Sequence, residues 1–162
     1  MIRAVIGIGA NLGDRLATMR EAVRLVEEVE GLRLVARSHV YETAPVGVVD
    51  QPAFLNAAIS VLCTLSPVAL LESLLGVERA LGRTRSSADV RWGPRAIDLD
   101  VLWLEGIVLE DPRLVVPHPR LHERAFALVP MLEIAPGAID PRSREPFVAP
   151  HDEGVRKTTL SL

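Results

Sequence analysis

Apolar residues along this chain change period several times, and each change marks an element. Ala4 to Gly9 is a short apolar run fit for a buried strand, closed by the turn-prone Asn11-Leu12-Gly13-Asp14. From Leu16 the apolar positions Leu16, Met19, Val23, Val26 and Val29 follow helical spacing, which predicts one helix to about Glu30, stopped by Gly31. Leu32 to Tyr41 reads as a strand, and Glu42 to Pro52, with Pro45, Gly47 and Pro52, as an irregular loop. Phe54 to Leu62 is strand-like. Ser66-Pro67 then supplies an N-cap and a first-turn proline, and Leu70, Leu74, Val77 and Leu81 stripe a second helix that Gly82 ends. A strand follows from Asp98 to Leu104, a turn at Glu105-Gly106, and a short strand from Ile107 to Leu109. The proline-rich remainder carries one helical stretch, about Arg120 to Val129. The last residues, His151 to Leu162, have little apolar periodicity and read as loose.

Strand, helix, strand, strand, helix, strand is the order of the split βαβ arrangement. It predicts an α+β, ferredoxin-like fold: an antiparallel sheet with two helices on one face and C-terminal additions, the other face left for ligands. At 162 residues the chain is expected to be a single domain, 1–162. A net charge of −3 argues against general binding to nucleic acid or acidic membranes. Locally the sign reverses, because Gly82 to Arg95 holds four arginines (83, 85, 91 and 95) against Asp89 alone. An acidic protein with one basic loop points to a small anionic ligand. Cys63 has no partner cysteine and lies in an apolar run, so it reads as a buried thiol in a reducing compartment. The first apolar run is too short for a signal peptide or a membrane span, and a cytoplasmic location is the default expectation.

The candidate chemistry gathers in Arg91-Trp92-Gly93-Pro94-Arg95-Ala96-Ile97-Asp98-Leu99-Asp100. Side chains two apart on a strand leave from one face, so Asp98 and Asp100 point the same way, their Cα atoms about 6.5 Å apart. Both carboxylates then reach one ion or a close pair, and hard oxygen donors favour Mg²⁺. In isolation an Asp-x-Asp pair is more often the wet face of a half-buried strand. Arg91 and Arg95 change that balance by offering forked donors to phosphate oxygens. Gly7, Gly9 and Gly13 are spaced one residue too far for a dinucleotide fingerprint, and no P-loop motif is present. His118 and His122 are four apart but separated by Pro119, which breaks the zincin pattern. Phe54 and Asn56 share a strand face, where an amide beside a ring can read the edge of a heterocycle.

Four segments in order resemble the 6-hydroxymethyl-7,8-dihydropterin pyrophosphokinase family of folate biosynthesis. They are Thr43-Ala44-Pro45-Val46, Asp50 to Asn56, Arg91 to Leu102, and Val116-Pro117-His118-Pro119 through Phe126. The resemblance spans about Arg3 to Pro136. It implies a transferase that moves the pyrophosphoryl group of ATP onto the pterin hydroxymethyl group and releases AMP. It also implies two Mg²⁺ ions on Asp98 and Asp100, with Arg83 and Arg95 beside them in catalysis. On the nucleotide side it places Glu78, Arg85, Arg91, Trp92, Arg95, His118 and Arg124. On the pterin side it places Thr43, Ala44, Pro45, Val46, Asn56 and Trp92, with Phe54 and Phe126 stacking on the ring. The loops Glu42 to Pro52 and Gly82 to Pro94 would then be lids that exclude water. The sequence departs from the family at Phe54, where many members have Tyr, at Ala44, where Pro is frequent, and at Leu75, where Gln is common. The resemblance implies ATP and the pterin as partners; with no nucleic acid or membrane among them, the protein is expected to be a cytoplasmic monomer. A non-catalytic ferredoxin-like small-molecule-binding domain is the alternative reading.

Overall fold

A computed structural model of the chain describes residues 1–44, 50–82, 96–152 and 154–162. The first apolar run forms β1 (Ile2–Ala10), and Asp14 caps α1 (Arg15–Glu27) by accepting the Ala17 N–H at 3.1 Å. The predicted strand Leu32 to Tyr41 divides into β2 (Leu32–Arg37) and β3 (His39–Thr43). Ser38 makes the break: its Oγ accepts the Ala58 N–H at 2.8 Å and donates to the His39 carbonyl at 2.7 Å. Both halves pair antiparallel with the long β4 (Phe54–Cys63), β2 along its end and β3 along its beginning. The second helix, α2 (Pro67–Ala80), starts where Ser66-Pro67 predicts, with the Ala69 N–H on Ser66 Oγ, and Gly82 follows it at a φ of 85°.

β5 (Asp98–Leu104) is followed by a small hairpin of β6 (Leu109–Asp111) and β7 (Leu114–Val116), where the sequence predicts one strand at 107–109. The expected helical stretch is a 3₁₀ turn, Leu121–Glu123, and then α3 (Ala125–Ile134), which ends five residues beyond the predicted end and has Pro130 inside it. The C-terminal segment corrects the sequence reading outright. Val155–Ser161 is a strand, β8, on the free edge of β3. Its alternation is too weak to read because most of its side chains are exposed.

Among the described residues the main sheet runs β5-β1-β4-β3-β8, with β2 beside the far half of β4, and every pairing is antiparallel. This is the expected α+β class. One face is the main core: Ile6, Ile8, Ile59, Val61 and Leu99 meet Met19, Val23 and Val26 of α1 and Leu70 and Leu74 of α2. Contrary to the two-helix expectation, the opposite face is not wholly free. Val5, Ala58, Leu102 and Trp103 pack there against Leu121, Leu128 and Met131, so α3 covers the end of the sheet remote from Asp98. Cys63 is buried, which pushes its thiol pKa up, in keeping with an inert core residue.

Candidate active site

The strand registers fix which side chains meet. Tyr41 lies opposite Asn56, Asn56 opposite Gly9, and Gly9 opposite Asp98, one row across β3, β4, β1 and β5. Directly opposed residues of antiparallel strands project to the same face, so the row carries a phenol, an amide, a bare glycine and a carboxylate on the α3 side of the sheet. The next row places Asp100 opposite Gly7 and Gly7 opposite Ala58. Asp98 and Asp100 are half-buried on that same face, as their two-residue spacing predicts.

The two glycines of β1 lie between the acidic and the amide halves, and packing explains both. A Cβ on Gly9 would stand 3.0 Å from Asn56 Oδ1, and one on Gly7 would stand 3.2 Å from the Leu102 methyl groups. They are small because neighbours occupy the space. Asn56 is buried, and its Nδ2 donates to Thr43 Oγ1 at 2.7 Å. Phe54 lies opposite Thr43 and shares the face of Asn56, so three of the predicted pterin-side residues form one patch. Ala44 follows at the end of β3. The segment leading to Phe54 is tied down by the β1–α1 turn. Asn11 Nδ2 donates to Gln51 Oε1 at 2.9 Å and to the Pro52 carbonyl at 3.2 Å, and Arg15 donates to the Ala53 carbonyl at 2.7 Å. Neither Asn11 nor Arg15 is evident from the sequence, since both partners are long-range main chain or amide.

Among the residues expected on the nucleotide side, the His118 N–H donates to the Leu102 carbonyl at 2.9 Å, which holds this segment beside β5. Burial, reinforced by the Arg124 and Arg120 guanidiniums and opposed by Asp98, pushes the His118 pKa down to about 4. The ring is therefore neutral near pH 7, and its Nδ1 accepts the Arg120 N–H at 3.2 Å. Arg124 lies 3.4 Å from His118 Nε2 and 5.7 Å from the centroid of the half-buried Phe126 ring, joining the two halves through a cation–π contact. His118 and Asp100 line a cavity of about 250 Å³ whose apolar walls include Leu71, Leu99, Pro112 and Leu114. It is smaller than most small-molecule pockets, and an imidazole and a carboxylate share its lining with the apolar walls. Leu71, Pro112 and Leu114 carry no polar signal that a sequence reading would select.

Glu78 is 2% exposed, and its Oε1 accepts the Leu99 N–H at 2.8 Å. It therefore braces β5 between the two aspartates. Of the remaining predicted site residues, Pro45, Val46, Arg83, Arg85, Arg91, Trp92 and Arg95 lie outside the described residues, as do the middle of the first predicted lid, 45–49, and nearly all of the second.

The donor set suits Mg²⁺. That ion keeps several waters and is held by one or two carboxylates together with substrate phosphates, and Asp98 and Asp100 supply two carboxylates on one face. Among the described residues no group of three or more His, Cys, Asp or Glu forms an all-protein cage. No helix among them is long and apolar enough to cross a membrane.

The chain resembles known proteins along most of its length. It is 50% identical over 139 residues to the 2-amino-4-hydroxy-6-hydroxymethyldihydropteridine pyrophosphokinase of Methylorubrum extorquens, covering 86% of each chain. It is 45% identical over 131 residues to the Bacillus subtilis protein of the same name, covering 81% of this chain and 77% of that one. In fold it is similar to an HPPK-DHPS protein solved in complex with substrates, at a TM-score of 0.68 and 14% identity. That match takes in 90% of this chain and 42% of the other. Residues 5–136 match the family described as 7,8-dihydro-6-hydroxymethylpterin-pyrophosphokinase, and the chain belongs to that family.

Proposed function

We propose that this chain transfers the pyrophosphoryl group of ATP to the hydroxymethyl oxygen of 6-hydroxymethyl-7,8-dihydropterin and releases AMP, with two Mg²⁺ ions at Asp98 and Asp100. The observation that carries this reading is the single sheet face that joins Thr43, Phe54 and Asn56 to Asp98 and Asp100 across two glycines. Phosphoryl transfer depends on in-line positioning and neutralisation of crowded charge more than on covalent help from the protein. Bound Mg²⁺ supplies that neutralisation on the phosphate oxygens. The chain's own residues do the rest. Phe54 and Phe126 stack on the pterin, and Asn56 and the main chain around Thr43 to Val46 read its edge. His118, neutral and held by Leu102 and Arg120, offers a nitrogen to the nucleotide without adding charge. Arg83, Arg85, Arg91, Trp92, Arg95 and Arg124 hold the triphosphate, and Glu78 keeps the strand beneath the aspartates in place.

The family match leaves the alternative of a non-catalytic binding domain without support. The same reading makes the protein a single-domain monomer of the cytoplasm with no nucleic-acid or membrane partner.

The test is AMP release from ATP, Mg²⁺ and the pterin by the unmodified chain and by Asp98→Asn and Asp100→Asn. Each variant is expected to lose on the order of 10³-fold or more in rate. An unmodified chain that releases no AMP overturns the activity, and full activity in both variants overturns the metal assignment.

A further inference from the structure

We propose that the C-terminal strand β8 positions the pterin-side wall of the site, acting through Arg156, Glu42 and Arg15. The proposal rests on the pterin assignment above, but β8 itself lies beyond the family-matched residues 5–136. β8 pairs with β3 so that Arg156 lies opposite Glu42 and Val155 opposite Thr43, the residue that holds the Asn56 amide. Thr158 Oγ1 donates to the Val40 carbonyl at 2.7 Å, and Arg20 of α1 donates to the Ser161 carbonyl at 3.0 Å, so the strand is fixed at its middle and far end. At the near end, Arg156 Nη2 donates to Glu42 Oε1 at 3.2 Å. The other oxygen of Glu42 is 4.0 Å from Arg15 Nη1, and that same nitrogen donates to the Ala53 carbonyl at 2.7 Å, immediately before Phe54.

Glu42 thus stands between two guanidiniums, one on the C-terminal strand and one that holds the Phe54 segment. Arg156 draws the carboxylate outward and leaves Arg15 to the Ala53 carbonyl. Without Arg156 the carboxylate closes on Arg15, draws the same guanidinium nitrogen away from the Ala53 carbonyl, and lets the wall under Phe54 shift. The Glu42 and Arg15 side chains are about one-third exposed, so the coupling is only partly screened by solvent. Arg156 is 72% exposed, which limits its individual effect.

Steady-state kinetics of the full chain test this, with Arg156→Ala, Arg156→Lys and Arg156→Ala combined with Glu42→Gln compared with the unmodified protein and thermal unfolding measured in parallel. For Arg156→Ala we expect the pterin KM to rise roughly two- to fivefold, the range open to a modest ion pair, with kcat and the ATP KM unchanged. Arg156→Lys should restore the pterin KM, and adding Glu42→Gln to Arg156→Ala, which removes the charge that would close on Arg15, should return it toward the original value. Truncation before Val155 should raise the pterin KM further than any of these. A pterin KM unchanged in Arg156→Ala overturns the proposal, as does a rise that the added Glu42→Gln does not reverse, or an equal rise in both KM values that tracks a loss of thermal stability. Failure of the unmodified protein to release AMP would instead overturn the pyrophosphokinase reading.

Discussion

The Leu99 main-chain N–H donates to Glu78 Oε1 at 2.8 Å in a buried setting, and Leu99 is the residue between Asp98 and Asp100. Among the described residues β5 is an edge strand, and no strand of theirs lies beyond it to accept this N–H. The α2 carboxylate replaces that missing neighbour and fixes the pleat that aims both aspartates. Glu78→Ala should therefore destabilise the fold by roughly 1–3 kcal/mol, the cost of an unpaired buried donor, while Glu78→Gln, which keeps an acceptor, should lose less. Urea unfolding of the two variants checks the order, and equal losses would remove the hydrogen bond as the cause.

Gly9 stands between Asn56 and Asp98, and its missing Cβ is the space beside Asn56 Oδ1. Gly9→Ala introduces an atom 3.0 Å from that oxygen, so the amide must give by a few tenths of an ångström, which strains the bond from its Nδ2 to Thr43. The pterin KM should rise by up to about tenfold, the effect of losing outright a well-placed hydrogen bond of roughly 1.5 kcal/mol. The ATP KM should stay near its original value. Equal effects on both substrates would show that the substitution disturbs the sheet and not the amide.

His118 carries a pH signature. Its folded pKa lies at about 4 against an unfolded value of 6.5, so between these values the unfolded chain binds a proton that the folded chain refuses. The stability it contributes is whole above about pH 6.5 and is lost as pH falls toward 4. Two-dimensional NMR should show one imidazole that does not titrate between pH 7 and 5. His118→Asn should flatten the fall in stability over that window, and an unaltered slope would refute the assignment.

How much of this was legible in the sequence depends on the range of each interaction. α2 was readable because Ser66, Pro67 and Gly82 act within a turn of themselves. The shared face of Asp98 and Asp100 was readable because it needs only a period of two. The break at Ser38 was not, since its hydroxyl bonds Ala58, twenty residues away, and β8 was not, since an edge strand with both faces largely wet has no alternation to show. Glycines 7 and 9 invited a dinucleotide-fingerprint reading that spacing excluded, but their reason, room for Leu102 and Asn56, exists only once β4 and β5 flank β1. The site followed the same rule: the aspartates and the Phe54-Asn56 pair were local, whereas Glu78 bracing Leu99 and the apolar cavity walls depend on tertiary contacts.

Glu133 of α3 joins the helix that carries Phe126 to the strand that carries Thr43. Its Oε2 accepts the Tyr41 hydroxyl at 2.5 Å, and its Oε1 accepts the His39 N–H at 3.0 Å and lies 2.5 Å from His39 Nδ1. Burial pushes the Glu133 pKa up, but the bonds from Tyr41 and His39 together outweigh it and hold the carboxyl below its usual 4.5. A depressed carboxyl contributes stability that is present above its unfolded pKa and is lost as pH falls through the folded one. Glu133→Ala should therefore cost roughly 1–3 kcal/mol at pH 7, because it leaves the buried Tyr41 hydroxyl without its acceptor. The gap between variant and unmodified protein should narrow as pH falls below about 4.5, where the carboxylate begins to protonate. Because Tyr41 lies opposite Asn56, the same variant should weaken pterin binding more than ATP binding. Denaturant unfolding across pH together with the two KM values checks both parts, and a stability gap that persists unchanged at pH 3 would show that α3 packing and not the carboxylate is responsible.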